Sequence, residues 1–296
     1  MTPAIETRGL AKRFGRVTAL KGLDLEVHSG EVFGFLGPNG AGKTTTIRLL
    51  LDQLRPTSGN ARVLGLDSRA DSATIRRRTG YLPAELTLDP RLTAAEYLDY
   101  LGHLQGGVDA VWRAELVERI GLDTTRRTKT LSTGNKKKVG IVQAFMHRPD
   151  LLILDEPTSG LDPLVQHAFL ALVREARARG AAVFLSSHVL TEVEDLADRV
   201  GIIRAGELIA VDTVAGLLRQ ATRRVVLRFA APVPADAFAG LPGVADLEVE
   251  GATVTGRIVG SPDALVKAAA RFELVDLAPR DRELEDVFLG YYREAS

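Results

Sequence analysis

The chain has 296 residues, of which 45% are apolar and 26% charged, a composition typical of a globular protein with one large or two modest domains. Lys+Arg and Asp+Glu both number 38, so there is no bulk attraction for nucleic acid and we expect no nucleic-acid partner. The lack of cysteine excludes disulfides and thiolate metal sites, and no apolar run approaches the roughly 18–20 residues that cross a bilayer. We therefore expect a cytoplasmic protein whose membrane role, if it has one, is supplied by a partner.

The first segment, residues 5–36, predicts short strands joined by tight turns. Leu23, Leu25 and Val27 alternate with polar residues, which is the pattern of a half-buried strand. Phe14 has two interpretations, a core aromatic or a platform that stacks on a base. Composition alone favours the core, because phenylalanine is usually buried.

The stretch GPNGAGKTT follows an apolar β-like run and precedes an apolar helical run, and it fits the phosphate-binding pattern G-x-x-x-x-G-K-[ST]. The glycines allow backbone N–H groups to turn inward, and the helix opening near Lys43 aims its positive end at the same anion. We expect Lys43 to reach the β- and γ-phosphates and the Thr44 hydroxyl to complete a Mg²⁺ site. The candidate nucleotide-binding residues are Gly37, Pro38, Asn39, Gly40, Ala41, Gly42, Lys43, Thr44 and Thr45.

Residues 92–120 are predicted to be mostly helical, with a capping box from Thr93 to Glu96 and a break at Gly106-Gly107. The polar loop LSTGN then leads into a helix that begins with three lysines, residues 136–138. A solvated helix start is favoured for these lysines over a nucleic-acid patch.

The run LLILDE predicts a buried strand in a parallel sheet, ending in Asp155 and Glu156. The carboxyl end of such a strand is where open α/β sheets bind ligands. Asp155 can hold Mg²⁺ through water, and Glu156 can orient or deprotonate an attacking water. The next β-like run ends at His188, for which a structural and a functional role are equally favoured by the pattern.

After Gly216 the composition changes and a second domain is predicted. Strands at 225–229, 247–249, 254–258 and 274–277 alternate with helices at 235–239 and 261–272, and a final helix carries Leu284, Val287, Phe288 and Tyr291. The order β-α-β-β-α-β is that of a small α+β, ferredoxin-like domain. We expect domains at 1–218 and 222–296, the second an accessory or dimerisation domain without catalytic residues.

In this order, these segments resemble the ATP-binding subunit of an ABC transporter over about residues 5–216. GPNGAGKT is similar to Walker A, LLILDE to Walker B, LSTGN to the signature LSGGQ and SGLD at 159–162 to the D-loop, while His188 resembles the switch histidine. The resemblance implies an α/β P-loop NTPase fold, with an N-terminal antiparallel β part and a helical subdomain beside the small C-terminal domain. It also places Phe14 where the family stacks adenine.

The resemblance implies a Mg²⁺-dependent ATPase that acts as a head-to-tail, ATP-dependent dimer. ATP would lie between Walker A of one copy and Ser132 and the Gly134 amide of the other. Glu156 would activate the hydrolytic water, His188 would contact the γ-phosphate, and Asp155 would hold the metal. The dimer would bind a separate integral membrane permease and lie at the inner face of the cell membrane.

Within the family, GYLPAE, EYLDYL and the closing ELEDVFLGYY are most similar to ATPases of drug and antibiotic exporters. An importer ATPase and a soluble non-transport ABC ATPase are the alternatives. The latter is disfavoured by the single uninterrupted cassette and the balanced charge.

Three positions depart from the family pattern. Thr133 replaces the first signature glycine, and Asn135 is shorter than the usual glutamine. After Tyr81-Leu82-Pro83 the family has glutamine, whereas this chain has Ala84-Glu85. Glu85 is therefore a candidate for the missing contact to metal or water.

Overall fold

The computed structural model describes residues 3–220 and 223–280, together with Leu284 and Phe288. It divides into two compact units, Met1–Thr213 and Val214–Ser296. The sequence-based limit at 218 falls inside a helix, Val214–Gln220, that belongs to the second unit.

The described strands are β1 (Ile5–Phe14), β2 (Val17–Val27), β3 (Val32–Leu36), β4 (Ser58–Val63), β5 (Leu66–Asp67), β6 (Thr79–Leu82), β7 (Leu151–Asp155), β8 (Ala182–Ser187), β9 (Arg199–Arg204), β10 (Glu207–Thr213), β11 (Arg223–Phe229), β12 (Val244–Glu250), β13 (Thr253–Ile258) and β14 (Leu274–Arg280). The described α-helices are α1 (Lys43–Leu50), α2 (Ser72–Arg77), α3 (Ala94–Leu104), α4 (Ala110–Ile120), α5 (Thr133–Phe145), α6 (Pro163–Ala178), α7 (Leu190–Leu196), α8 (Val214–Gln220) and α9 (Asp263–Ala269). Short 3₁₀ turns cover Thr128–Thr130 and Ala235–Phe238.

An antiparallel sheet of order β2-β1-β4-β5 forms the N-terminal part of the first unit. The predicted alternation in β2 is confirmed, because Leu23, Leu25 and Val27 are buried while the residues between them are exposed. The last two strands of this sheet, β4 and β5, form a short antiparallel pair. Leu64 and Gly65 separate them with positive φ angles of 52° and 77°, which turn the chain back on itself.

The second sheet of this unit has the order β10-β9-β3-β8-β7-β6, and its pairs are parallel except β10 with β9. Every residue of β3, β7 and β8 is buried, which confirms LLILD as an interior strand covered on both faces. Since β8 lies between β3 and β7, the carboxyl ends of all three strands meet at one edge. This edge carries the residues singled out by the motifs.

The helical part agrees with its sequence signals. Thr93 and Glu96 form the predicted capping box of α3, and the helix ends before Gly106 and Gly107, which have φ angles of 88° and 106°. Helix α5 begins at the signature-like segment, and its N-cap Ser132 accepts a hydrogen bond from the Asn135 amide at 3.3 Å.

Helix α5 packs closely against β6 because a glycine of each element lies at the contact. Gly80 of β6 faces α5, and Gly140 of α5 faces β6. A Cβ on Gly80 would lie 2.0 Å from the Ala144 carbonyl oxygen, and a Cβ on Gly140 would lie 2.5 Å from Leu82 Cδ1. Both distances are below any real carbon contact. The atom near Gly80 belongs to the backbone, so the approach of α5 to β6 depends above all on glycine at position 80. The packing brings the first turn of α5 to the carboxyl end of β6.

The second unit has an antiparallel sheet of order β12-β13-β11-β14 over a core that includes Phe229, Phe238 and Phe272. The hairpin predicted around Gly251 is confirmed, with Val249 opposite Val254. The chain order β11, turn, β12, β13, α9, β14 has the predicted ferredoxin-like sequence of elements. Its first helix is only the 3₁₀ turn at Ala235–Phe238. Leu284 and Phe288 are helical, and the other predicted positions of the last helix lie outside the described residues.

Replacing Gly80 by alanine tests the contact between α5 and β6. The added methyl group would strike the Ala144 carbonyl, a backbone atom that cannot rotate away, so Gly80→Ala is expected to lower the free energy of unfolding by about 1–3 kcal/mol. Urea denaturation measures the loss. The matched control is Gly102→Ala in α3, where the new Cβ would lie 3.1 Å from a mobile Val108 methyl and alanine favours the helix. A Gly80 variant as stable as wild type would contradict the contact.

Candidate functional site

The phosphate loop runs from the end of β3 to the start of α1. Gly42 has a φ of 116°, a left-handed conformation that glycine tolerates, and the helix begins at Lys43 as the motif predicts. Gly37 is confined by packing, since a Cβ there would lie 2.5 Å from the Ile203 carbonyl oxygen. The small residues therefore allow a tight turn directly before the N-terminus of α1. Backbone amides in this position can bind an anion such as phosphate.

Asp155 is 1% exposed at the end of β7, and two hydroxyl groups satisfy its carboxylate. Thr44 Oγ1 donates to Oδ2 at 2.9 Å, and Ser186 Oγ donates to Oδ1. The structure thus joins the hydroxyl and the carboxylate that the sequence named as metal ligands. A hydroxyl and one carboxylate suit Mg²⁺, which keeps several water ligands and is usually held by few protein groups. In the described part of the chain, no group of three or more histidine, aspartate or glutamate side chains forms a dedicated metal site.

Glu156 adopts a φ of 48°, an uncommon backbone conformation for a residue with a side chain. Its Oε2 lies 2.6 Å from His188 Nδ1, and its Oε1 lies 3.4 Å from Lys43 Nζ. Lys43 Nζ also donates to the Gly37 carbonyl at 2.5 Å. The candidate base Glu156 therefore contacts both the switch-like histidine and the phosphate-loop lysine at the sheet edge.

Glu192 extends this cluster, and sequence analysis did not identify it. Thr158 Oγ1 donates to Glu192 Oε2 at 2.5 Å, which links the segment after Glu156 to helix α7 after His188. Burial raises the pKa of Glu192, and the negative charge of Glu156 raises it further, while the bond from Thr158 and the nearby His188 act in the opposite direction. The available signal was the place of Glu192 near the start of the helix that follows β8 and His188.

Lys137 is the second residue that sequence analysis missed. The prediction that lysines 136–138 form a solvated helix start is wrong for Lys137, which is 4% exposed. Its ammonium group donates to the carbonyl oxygens of Pro83 at 3.3 Å, Ala84 at 3.1 Å and Asp155 at 3.4 Å. Burial lowers the pKa of Lys137 to about 8, although the carboxylates of Asp155 and Glu156 oppose the shift.

Phe14 lies at the end of β1 and is 47% exposed, so the composition-based preference for the core is wrong. The Lys12 ammonium group lies 5.0 Å from its ring centroid, and the same group donates to the Arg55 carbonyl at 2.6 Å. Lys12 therefore fixes one side of an open aromatic ring.

Ser132 and Thr133 are exposed at the start of α5. Gly134 faces the Gly160 carbonyl oxygen, which would lie 3.0 Å from a Cβ at this position. Within the described residues, neither Ser132 nor Gly134 forms a hydrogen bond to the phosphate loop of its own chain. The signature-like segment and the D-loop-like segment thus share one surface.

Glu85 is the third residue that sequence analysis named as a candidate metal ligand. Its side chain is exposed, and among the described residues it has no hydrogen bond or ion pair, whereas Thr44 and Asp155 bond to each other. The Ala84-Glu85 segment contributes its backbone instead, because the Pro83 and Ala84 carbonyls accept from Lys137. None of the described helices combines the length and apolarity needed to cross a membrane.

Glu192→Gln tests the cost of the buried carboxylate. Because the folded protein raises the pKa of Glu192, it holds this proton to higher pH than the unfolded chain, and stability is lost as pH rises through the folded pKa. Glutamine keeps an acceptor for Thr158 without the charge that faces Glu156. The variant should therefore match wild type near about pH 5 and become relatively more stable toward about pH 8.

Urea unfolding of both proteins across this pH range measures the difference. Glu118→Gln, on the exposed side of α4, controls for removal of one surface charge. A stability difference for Glu192→Gln that stays constant with pH, or reverses its sign, would contradict the buried-charge interpretation.

Comparison with known proteins places these features in a family. The family described as ABC transporter matches residues 20–159. The chain is 43% identical to the daunorubicin/doxorubicin resistance ATP-binding protein DrrA of Streptomyces peucetius, over 77% of this chain and 70% of the relative. It is 38% identical to the daunorubicin resistance ATP-binding protein DrrA3 of Streptomyces coeruleorubidus, over 97% of this chain and 95% of the relative.

Among solved structures, an ATP-binding subunit of an ABC transporter superposes with a TM-score of 0.69 at 32% identity, covering 74% of this chain and 93% of that one. The likeness includes the mixed α/β cassette with its P-loop, which confirms the fold class expected from the motifs. This chain belongs to the ATP-binding subunits of ABC transporters, the ATPases that power transport through a membrane partner.

Proposed function

We propose that the chain binds MgATP at the phosphate loop and hydrolyses it with Glu156 as general base. The observation that carries this proposal is the contact of Glu156 with both Lys43 and His188, beside the bonded pair of Thr44 and Asp155. One sheet edge thus holds a cation for phosphate, a base and the donors for a metal, which are the parts that phosphoryl transfer to water requires.

In the proposed reaction, Lys43 and the loop amides bind the phosphates, and Phe14 stacks on adenine. Thr44, and Asp155 through water, would hold Mg²⁺, which neutralises charge on the phosphate oxygens. Glu156 accepts a proton from the water that attacks the γ-phosphorus, and the bond to the departing ADP oxygen breaks. His188, held by its Nδ1 contact with Glu156, reaches the γ-phosphate with its other ring nitrogen.

We infer that hydrolysis takes place in a head-to-tail dimer. Among the residues that the structure describes, Ser132 and Gly134 form no bond to the phosphate loop of their own chain, and Gly134 lies against Gly160 of the D-loop-like segment. Leu164 lies next to that segment and is 81% exposed, an unusual position for a leucine unless a partner covers it. A second copy would receive the signature surface against its own bound ATP.

We propose that the transported substrate is a drug- or antibiotic-like small molecule and that the direction is export. Support comes from the relatives, which are named for daunorubicin and doxorubicin resistance. The membrane path would be a separate permease, which would hold the dimer at the inner face of the cell membrane. We also propose that the second unit, which falls within the match to DrrA3 over 97% of this chain, is an accessory domain.

Glu156→Gln tests the proposed mechanism. Loss of a positioned general base typically lowers the rate about 10²–10⁴-fold, while Lys43, Thr44 and the loop remain to bind ATP. The purified variant should therefore bind ATP with near wild-type affinity, hydrolyse it barely, and dimerise on addition of ATP and Mg²⁺. Phosphate release and light scattering measure these outcomes.

The matched control is Glu207→Gln, which removes an exposed carboxylate paired with Lys21 and should leave ATP hydrolysis unchanged. If Glu156→Gln hydrolysed ATP at the wild-type rate, another group would have to be the base. If wild type itself bound no ATP, the proposed function would fail.

Phe14→Ala tests the adenine platform. Stacking of a base on an aromatic ring contributes about 1–3 kcal/mol, so the KM for ATP should rise about 10-fold with little change in kcat. Phe14→Tyr should keep the wild-type KM because tyrosine offers the same ring face. Inorganic tripolyphosphate, which has no base, should compete equally well against wild type and Phe14→Ala.

Val111→Ala provides the control, since Val111 is another exposed apolar side chain, 79% accessible on α4. A Phe14→Ala variant with wild-type KM, or one that loses tripolyphosphate binding as well, would show that Phe14 does not contact the base.

A further inference from the structure

Lys137 lies on the face of α5 that packs against β6. It precedes Gly140 by three residues, and Gly140 and Gly80 allow the helix and the strand to approach closely. The lysine stem therefore enters the protein along this seam and places its ammonium group at the carboxyl ends of β6 and β7.

Three backbone carbonyls surround the ammonium group, two from the Pro83-Ala84 segment after β6 and one from Asp155 at the end of β7. An ammonium group has three donors, so its hydrogen-bonding capacity is used here. Removing a charged group from water is costly unless it is hydrogen-bonded, and this site meets that condition.

The bond to Asp155 acts on the peptide unit that presents Glu156. The Asp155 carbonyl and the Glu156 amide belong to one peptide group, and the amide donates to the Ser186 carbonyl at 3.0 Å. Lys137 holds the other side of this same group. These two hydrogen bonds fix both ends of the peptide plane. The next residue, Glu156, has a left-handed backbone conformation, which persists only where the surrounding structure holds it.

We propose that Lys137 is a positioning residue for hydrolysis, holding the Asp155–Glu156 peptide and the Pro83–Ala84 segment in register with the helix that starts at the signature-like loop. The inference rests on the proposed function, because it concerns the carboxylate assigned as general base. This chain lacks the glutamine that the family pattern has after Pro83. Lys137 on α5 reaches the same segment and bonds to the backbone carbonyls of Pro83 and Ala84.

A purely structural lysine predicts a different result from a positioning one. Loss of a structural contact lowers the unfolding temperature without changing turnover by the folded protein. Loss of a positioning contact lowers kcat, because Glu156 is misdirected, but leaves ATP binding to the phosphate loop intact. The separation of kcat from ATP affinity therefore decides between them.

The experiment compares the full chain carrying Lys137→Met, Lys137→Gln or Lys137→Arg with wild type. Lys137→Met keeps the length of the stem and removes the donors, so its kcat should fall about 10- to 100-fold, with the Kd for ATP within about threefold of wild type. Lys137→Arg, which keeps a charged donor, should restore part of the loss. Lys138→Met, whose ammonium group instead bonds to Gly121, is the matched control and should hydrolyse ATP like wild type.

A wild-type kcat in Lys137→Met would overturn the inference, and so would a fall in kcat that is matched by an equal loss of ATP affinity. If Lys137→Met does not fold, Lys137→Gln decides in the same way, through its kcat at unchanged Kd and unfolding temperature. If wild type binds and hydrolyses ATP and the Lys137 variant is equally active, this inference is wrong and the proposed function still stands. A wild-type chain without hydrolysis would instead remove the proposed function beneath it.

Discussion

The buried carboxylate of Asp155 is the contact on which the arrangement of the site depends. Its two oxygens accept from Thr44, which follows β3, and from Ser186 in β8. Because an unpaired buried carboxylate would be very costly, these hydroxyls must stay where the strand order places them. The parallel order β3-β8-β7 does so, since it brings the ends of all three strands to one edge. The phosphate loop, the acidic pair and His188 are therefore positioned by the same sheet.

The ionisable groups at this edge contact one another or a hydroxyl group, which explains how several of them share a small volume. Glu156 lies between Lys43 and His188, while Glu192 lies farther along and is bonded to Thr158. Burial raises the pKa of Glu192 and the negative charge of Glu156 raises it further, against the lowering effect of the bond from Thr158. Lys137 bonds to backbone carbonyls, including that of Asp155, so it adds positive charge without occupying the carboxylates.

Local patterns gave the parts of this site that depend on neighbours in sequence. The phosphate loop, the capping box at Thr93 and the buried strand LLILD each follow from a few adjacent residues, and each formed as predicted. Lys137 did not, because three consecutive lysines on a helix point in directions about 100° apart, so one of them can face β6 while its neighbours remain nearer solvent. Only the contact of α5 with a distant strand decides which one. The core prediction for Phe14 was wrong for the same reason, because the average burial of phenylalanine does not tell whether other elements pack over the end of β1.

The departures from the family pattern act at different places once the fold is known. Ser132 caps α5 by accepting from the Asn135 backbone amide, so the shorter side chain at 135 does not disturb the helix start. Thr133 is exposed, so its branched side chain alters the surface of the protein and leaves the interior unchanged. Ala84 presents a carbonyl to Lys137, a contact that needs no particular side chain. The three departures thus leave in place both the N-cap of α5 and the contact of Lys137 with the segment after β6.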